Sequence, residues 1–570
     1  MTVCRGCGPV ARRLANGRVH PIVTGMPQTW PVSSPDRAAA EALPSAVTTN
    51  GKPVRPWAAL GALVLGFFMI MIDTTIVIVA NPSIQVGLKT DTASVIWVTS
   101  AYLLTYSVPL LVTGRLGDRF GPRNLFVIGI AVFALASLFC GLAAELPGSA
   151  IANLIAARAV QGLGASLMAP QSMTVITRIF PAERRGAALG MWGATAGLAT
   201  LVGPVLGGVL VDGLGWEWIF YINIPIGIVA IILGLAFVPK LQTHRHRFDW
   251  LGVVISCIGM TLLVFGLQQG ENYAWDGWIV AAIVAGIVVL VGFTIWQRLN
   301  RHEPLVPLRL FRDRNFTLGS LAMFFIGLSM TSSFIPLIYF FQSVRGMTPT
   351  QSALMALPSA TCTLVFSPFA GRLADRVHPV ALAVPGVLLA SLGTWMYTWM
   401  ISPDIAWGWL LIPSAVMGIG FAFTFGPIAT TTTRNLPPVM AGAGSGVFNT
   451  VRQVGSVVGT AGLAAVITNR IVAHLQPLMP AGTDVSAGFN GSAKVQDLAA
   501  QGVPQPVIDA IASAFTDAMR ETMIFPAVAV LVAAVFVACF ARPSHQRPEL
   551  KTVDTSEAAP VPGSVAVERR

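Results

Sequence analysis

Charge is scarce in this chain. Asp, Glu, Lys and Arg make up 11% of its 570 residues, too few to cover a water-soluble protein of this size. Cysteine is scarcer still. Of the six, Cys140, Cys257, Cys362 and Cys539 lie inside apolar stretches, where they act as small hydrophobic residues and imply no disulfide framework. Cys4 and Cys7 form a single CxxC without the second pair that a structural zinc site needs, so no metal is expected. There is no GxxxxGKS or GxxxxGKT loop to cradle ATP, and no HExxH or GxSxG spacing, so an enzyme is not expected and no cofactor is called for. Residues 1–56 lack the short apolar core and small-residue cleavage site of a signal peptide, and Met26 stands as an alternative start.

What is present is apolar. Hydrophobic residues reach 54% and the mean hydropathy is +0.70. The formal charge of +11 would suit nucleic acid, but the basic residues come in short runs between long apolar stretches. Membrane lipid headgroups are the expected counter-charge, and no nucleic-acid partner is expected.

About 20 apolar residues cross a bilayer as a helix. Fourteen such segments fall near 57–80, 94–114, 124–144, 150–173, 187–211, 219–239, 250–269, 277–297, 316–342, 351–371, 380–401, 407–431, 440–467 and 521–541. An even number puts both termini on one side. Alternate loops hold Arg115, Arg119 and Arg123, then Arg178, Arg184 and Arg185, then Lys240, Arg245 and Arg247, then Arg298, Arg301, Arg309, Arg312 and Arg314. The opposite loops hold only Lys89, Arg345, Arg470, Lys494 and Arg520. The positive-inside rule therefore assigns both termini to the cytoplasm of a multi-pass inner-membrane protein. Residues 1–56 and 543–570 read as disordered tails, and 470–519 as the one long outer loop.

The chain repeats itself. Gly114-Arg115-Leu116-Gly117-Asp118-Arg119 follows the second span, and Gly371-Arg372-Leu373-Ala374-Asp375-Arg376 follows the tenth, identical at five of six positions. The recurrence after eight spans predicts two six-helix halves, 57–240 and 301–542, separated by a two-helix insertion at 241–300. Two like halves suit alternating access to a central site, driven by an ion gradient.

Several segments, in order, resemble the major facilitator superfamily and within it the fourteen-helix drug:proton antiporters. GRLGDRFGPR, Gly114 to Arg123, is similar to the family's loop signature after the second helix, with Asp118, Arg119, Gly121 and Arg123 at matching positions. Arg158, Gln161, Gly162 and Gly164 resemble the fourth-helix motif with its buried arginine. Gly190, Gly197, Gly203, Pro204, Gly207 and Gly208 resemble the fifth-helix antiporter motif, followed by WEWIFYINIPIG from Trp216 to Gly227. PLVPLRLFRDRNFT, Pro304 to Thr317, and RQVGSVVG, Arg452 to Gly459, are also similar to this family, as is MIDTTIVIVANP around Asp73.

The resemblance implies an all-α polytopic membrane protein with the major facilitator fold, fourteen transmembrane helices arranged 6+2+6 in two pseudo-symmetric halves. It also implies a proton-coupled antiporter exporting amphipathic drugs or dyes, with a dedicated exporter of an endogenous metabolite, lipid or siderophore as the alternative, and a non-transporting sensor behind both. Small amphipathic substrates and protons are the expected partners of a functional monomer, with recruitment of a periplasmic adaptor left open.

Candidate residues divide by chemistry. Asp73 sits inside an apolar span, where a carboxylate exchanges a proton for a cationic or polar substrate group, or pairs with a neighbouring helix. Arg158 cannot lose its proton and must find a carboxylate or carbonyls; the resemblance adds a coupling role, and a structural anchor is the alternative. Arg452 poses the same question in the thirteenth span. Asp118 is placed to meet the positive end of the thirteenth helix. The resemblance makes it, with Gly114, Arg119, Gly121, Arg123 and Asp375, a conformational switch; orientation of the loops alone is the alternative. Gly203 and Gly207 share one helix face and Pro204 permits a bend, so with Gly197 and Gly208 they suit a gating helix or ordinary close packing. Trp97, Tyr102, Tyr106, Phe334 and Tyr339 are candidates to line a cavity, or to face lipid and neighbouring helices.

Overall fold

Inside a bilayer a chain must satisfy its own backbone hydrogen bonds, and long apolar runs do so as helices. The computed structural model describes residues 54–90, 92–243, 249–270, 273–300, 304–437, 440–478 and 503–541. Most of the two expected tails, with Cys4, Cys7 and Met26, and residues 479–502 of the expected outer loop lie outside these described residues.

Among the described residues, thirteen helices are long and apolar enough to span a membrane, and one bent pair completes a fourteenth. Span 1 is Pro56–Gly87, span 2 is Thr92–Ser107 with Leu110–Phe120, span 3 is Pro122–Gly141 and span 4 is Ala150–Ile179. Span 5 is Ala182–Leu214, span 6 is Trp218–Tyr221 running into Asn223–Phe237, span 7 is Trp250–Gln269 and span 8 is Gly277–Leu299. Span 9 is Arg314–Tyr339, span 10 is Leu357–Ala374, span 11 is Pro379–Met400 and span 12 is Leu411–Thr433. Span 13 is Ala441–Leu475, and span 14 joins Gln505–Thr522 to Ile524–Ala538.

Span 2 bends by 47° at its break. Pro109, which has no amide hydrogen to continue the ladder, stands there. In consequence the hexapeptide 114–119, expected in a loop, lies on the helical arm Leu110–Phe120, and the turn comes only at Gly121. Gly121 has φ +89°, a conformation that a residue with a Cβ adopts only under strain. Its repeat counterpart behaves alike, with Gly371 to Ala374 inside span 10.

The packing repeats as the sequence does. In the first six spans, 1 packs on 5 and 6, 2 on 4, and 3 on 4 and 6; in the last six, 9 packs on 13 and 14, 10 on 12, and 11 on 12 and 14. The two sets meet through the symmetry-related pairs 2 with 13 and 5 with 10. Glycine lets them meet: a Cβ on Gly114 would lie 2.6 Å from the Gly442 carbonyl oxygen, and one on Gly190 would lie 2.6 Å from that of Ser367.

Spans 13 and 14 correct the expected outer loop. Residues 470–475 continue the helix of span 13, and 505–522 form a helix of their own. This segment is amphipathic: Ile508, Ile511, Phe515 and Met519 pack on Leu463, Ile467, Ile471 and Leu475, while Asp509 and Asp517 lie on its other side. Averaged over a window, such a helix looks polar.

Spans 7 and 8 pack on each other, and span 7 also touches spans 2 and 13 through Met260, Val264, Val108 and Val457. Val284, Val288, Val291 and Ile295 of span 8 are exposed, as a lipid-facing surface requires. Asp249 fastens this hairpin. It accepts hydrogen bonds from the Gly252 amide at 2.9 Å, the Trp296 indole at 3.0 Å and the Gln297 side chain at 2.8 Å. Partial burial pushes its carboxyl upward, but these donors outweigh burial and hold it below the ordinary carboxylate range. Its stabilisation is therefore complete above the ordinary value and is lost as pH falls through the depressed one. Asp249→Ala is expected to cost about 1 kcal/mol near neutral pH, and nothing once acid has already protonated the native group. Thermal unfolding of both chains in detergent across that pH range checks it.

Candidate functional site

The centre of the first half holds a closed polar network. Span 1 brings Asp73; span 4 brings Arg158 and Gln161, three residues apart and so on one face; span 3 brings Ser137 and span 6 brings Asn223. Arg158 Nη1 donates to Asp73 Oδ2 at 2.6 Å and to Gln161 Oε1 at 2.6 Å. Gln161 Nε2 donates to Asp73 Oδ1 at 2.9 Å and to Ser137 at 2.7 Å, and Asn223 donates to the same Asp73 oxygen at 3.3 Å. Arg158 also donates from Nε to the Val98 carbonyl at 3.2 Å and lies 4.2 Å over the Tyr102 ring. Asp73 and Arg158 are both 0% exposed.

Two charges removed from water are tolerated only when each finds its full set of partners. Here both carboxylate oxygens are occupied. Protonation of Asp73 would remove the anion that holds Arg158, so one proton can change the interactions of spans 1, 3, 4 and 6 together. Arg452, grouped with this pair in the sequence reading, lies elsewhere. It sits on span 13 and senses Tyr106 of span 2.

A second pair of features lies at the arginine-rich end. Asp118 Oδ1 accepts from Arg178 Nη2 at 2.7 Å, with the carboxylate 0% exposed. The same carboxylate abuts the start of span 13: a Cβ on Gly442 would lie 2.5 Å from Asp118 Cγ. Asp375 mirrors it across the halves, accepting from the Gly186 amide at 2.9 Å and the Ala187 amide at 3.3 Å near the start of span 5. Each half thus places an aspartate against the opening turns of a helix in the other, where the helix dipole favours an anion. The remaining expected members take other places: Arg119 lies 5.3 Å from the Phe120 ring, and Arg123 donates to the Leu235 carbonyl at 2.5 Å, joining spans 3 and 6.

Span 5 uses its glycines on two sides. Gly203 and Gly207 sit against Thr75 and Ile76 of span 1, two to three residues beyond Asp73, and Gly197 sits against Thr363 of span 10. Gly208 faces Thr350, and Pro204 is inside the helix. Of the aromatic candidates, Tyr102 and Tyr106 stack at 6.1 Å between Arg158 and Arg452, whereas Trp97 packs on Phe265 of span 7 at 5.8 Å. Phe334 and Tyr339 are partly buried in the packing of the second half.

Four partners escaped the sequence reading as site residues. Gln161 and Asn223 stood inside quoted motifs, and Arg178 was counted only as a loop charge. Ser137 carried no signal, because serine in an apolar helix is ordinary.

Comparison with known proteins agrees with this architecture. The sequence profile described as Major Facilitator Superfamily matches residues 63–460. An MFS-type transporter of Mycobacterium tuberculosis is 47% identical over 85% of this chain and 81% of its own length. The tetracenomycin C resistance and export protein of Streptomyces glaucescens is 31% identical over 89% of this chain and 96% of its own. The cephamycin export protein of Amycolatopsis lactamdurans is 36% identical over 74% and 86%. Among solved structures, the proton:xylose symporter XylE bound to 6-bromo-6-deoxy-D-glucose superimposes with a TM-score of 0.57 at 14% identity, covering 84% of this chain and 94% of that one. With its repeated six-helix halves, its two inserted spans and a profile match over most of its length, this chain belongs to the major facilitator superfamily.

Proposed function

We propose that this chain is a secondary transporter of the cytoplasmic membrane that exports amphipathic drugs, antibiotics or dyes in exchange for protons, with its arginine-rich end and both termini in the cytoplasm. One observation carries the reading. Asp73 and Arg158 form a fully buried ion pair between helices, and a membrane protein keeps such a pair where its charge state does work. The export proteins of Streptomyces and Amycolatopsis among its relatives support the substrate class and the direction.

In the mechanism, the Asp118 and Asp375 contacts hold the cytoplasmic end shut while the outer side is open. A proton entering from that side neutralises Asp73, releases Arg158 and loosens span 1 against span 4. Spans 1 and 5 then move as one through the close contact of Gly203 and Gly207 with Thr75 and Ile76. Substrate enters from the cytoplasm, the proton leaves there, and the pair re-forms. A small-molecule substrate is all the cycle needs, and one chain suffices.

The test is proton movement itself. Everted vesicles bearing the native chain are acidified inside, and a panel of antibiotics and dyes is added while a pH-sensitive fluorophore is read. Exported compounds are expected to collapse the gradient, and a protonophore to stop their accumulation. Accumulation that persists unchanged with the protonophore would rule out proton coupling.

A further inference from the structure

Among Asp, Glu, Lys and Arg, three residues lie more than five positions from the end of any described helix: Asp73, Arg158 and Arg452. The first two neutralise each other, which leaves one positive charge in the middle of the molecule. No carboxylate among the described residues pairs with Arg452, and its Nε and Nη2 are buried without a hydrogen-bond partner. The backbone that bears it is packed closely: the Arg452 carbonyl lies against Gly327 of span 9, where any Cβ would collide with it. It also lies where span 13 of the second half meets span 2 of the first.

Its surroundings are polar but incomplete. The Tyr106 hydroxyl is close enough to feel the guanidinium, yet no hydrogen bond of ordinary geometry reaches it. One turn before Arg452, the Asn449 side-chain oxygen is also buried without a partner. An uncompensated guanidinium among apolar spans is costly, and its planar fork is shaped to take a carboxylate or similar oxyanion. The converse holds at Asp73, whose two oxygens are already taken by Arg158, Gln161 and Asn223. A cationic substrate finds no unoccupied carboxylate there, although the sequence reading allowed one.

We propose that Arg452, with Tyr106 beside it, is the subsite that receives the acidic group of the transported compound, so that this protein exports amphipathic organic anions such as carboxylates and phenolates. This rests on the export reading above and names its substrate class. Tyr102 and Tyr106, stacked between Arg158 and Arg452, put the anion subsite and the proton site on one aromatic ladder. An anion leaving and a proton entering both carry charge in the direction that the membrane potential favours.

Fluorescein and rhodamine 123 share a xanthene frame and differ in charge, so their transport is compared in everted vesicles bearing the full chain. The native protein is expected to accumulate fluorescein at least about tenfold over rhodamine, the worth of one charge-assisted contact. Arg452→Gln is expected to lose that preference, Arg452→Lys to retain part of it, and Tyr106→Phe to weaken it. Arg452→Gln is also expected to unfold no more readily than the native chain, since it removes a partly buried charge that has no carboxylate partner among the described residues; a purely structural arginine would destabilise when removed. Should Arg452→Gln fail to fold, the native preference and the Tyr106→Phe variant still decide. Preferred transport of rhodamine, unchanged in the arginine variants, would overturn the anion subsite and leave export standing. Transport of neither dye nor any of the panel compounds by the native chain takes down both.

Discussion

Asp73→Asn is expected to reduce proton-driven export to background while the protein still inserts and folds. The amide keeps the shape and some of the hydrogen bonds of the carboxylate but cannot cycle a proton. It also leaves Arg158 buried without its anion, and breaking a buried pair in this way costs about 3–5 kcal/mol. A lowered unfolding temperature should therefore accompany the loss of transport. The double variant Asp73→Asn with Arg158→Gln separates the two effects. Removing the stranded cation should restore much of the stability, yet transport should stay absent, because no titratable group has returned. Restored transport in the double variant, measured as gradient-driven accumulation in everted vesicles, would mean that the pair is an anchor and that the proton passes elsewhere.

Gly371→Val is expected to stop transport from the other end of the molecule. Gly371 and Gly186 meet backbone to backbone, and a side chain on either would collide with the carbonyl oxygen of the other. Backbone cannot turn aside as a side chain can, so spans 5 and 10 must part, at a cost of about 1–3 kcal/mol to the closed state. Asp375 then loses its hold on the Gly186 and Ala187 amides. The readout is access. Thr433 lies in a small cavity at this end with Thr177, Arg178 and Ser445, and Thr433→Cys reports whether an impermeant maleimide reaches it from the arginine-rich side. Labelling should be slow in the otherwise native chain and fast with Gly371→Val. Equal labelling would show that the glycine contact does not set closure, and the switch assigned to Asp118 and Asp375 would have to be moved.

The two variants differ in how far the sequence alone leads to them. Asp73 and Arg158 are conspicuous in the sequence because a charge within an apolar run is rare, and it is rare because it is expensive. Their pairing is not conspicuous: 85 positions separate them, and an arginine has several carboxylates and many carbonyls to choose from. Arg452 looked equivalent to Arg158 by the same criterion. Its different environment follows from the absence, among the described residues, of a carboxylate paired with its guanidinium, and that is a property of the assembled helices. The Gly371 contact sits between these cases, since the repeated hexapeptide singles the residue out without saying what it touches.

Composition and spacing by themselves determined the membrane class, the fourteen spans, the two repeated halves with an insertion between them, and the short set of charges worth attention. These are one-dimensional properties: a span is a length of apolar chain, a repeat is a recurrence along it, and a buried charge is an interruption in it. Tertiary structure decided the partners. It joined Asp73 to Arg158 and Gln161, gave Asp118 to Arg178 and the start of span 13, turned 505–522 into an amphipathic helix that hydropathy averaging hides, and left Arg452 beside Tyr106 with no carboxylate partner among the described residues. The reason is physical: the energy of a buried charge depends on what lies within a few ångströms of it, and residues far apart in sequence become such neighbours only when the helices pack.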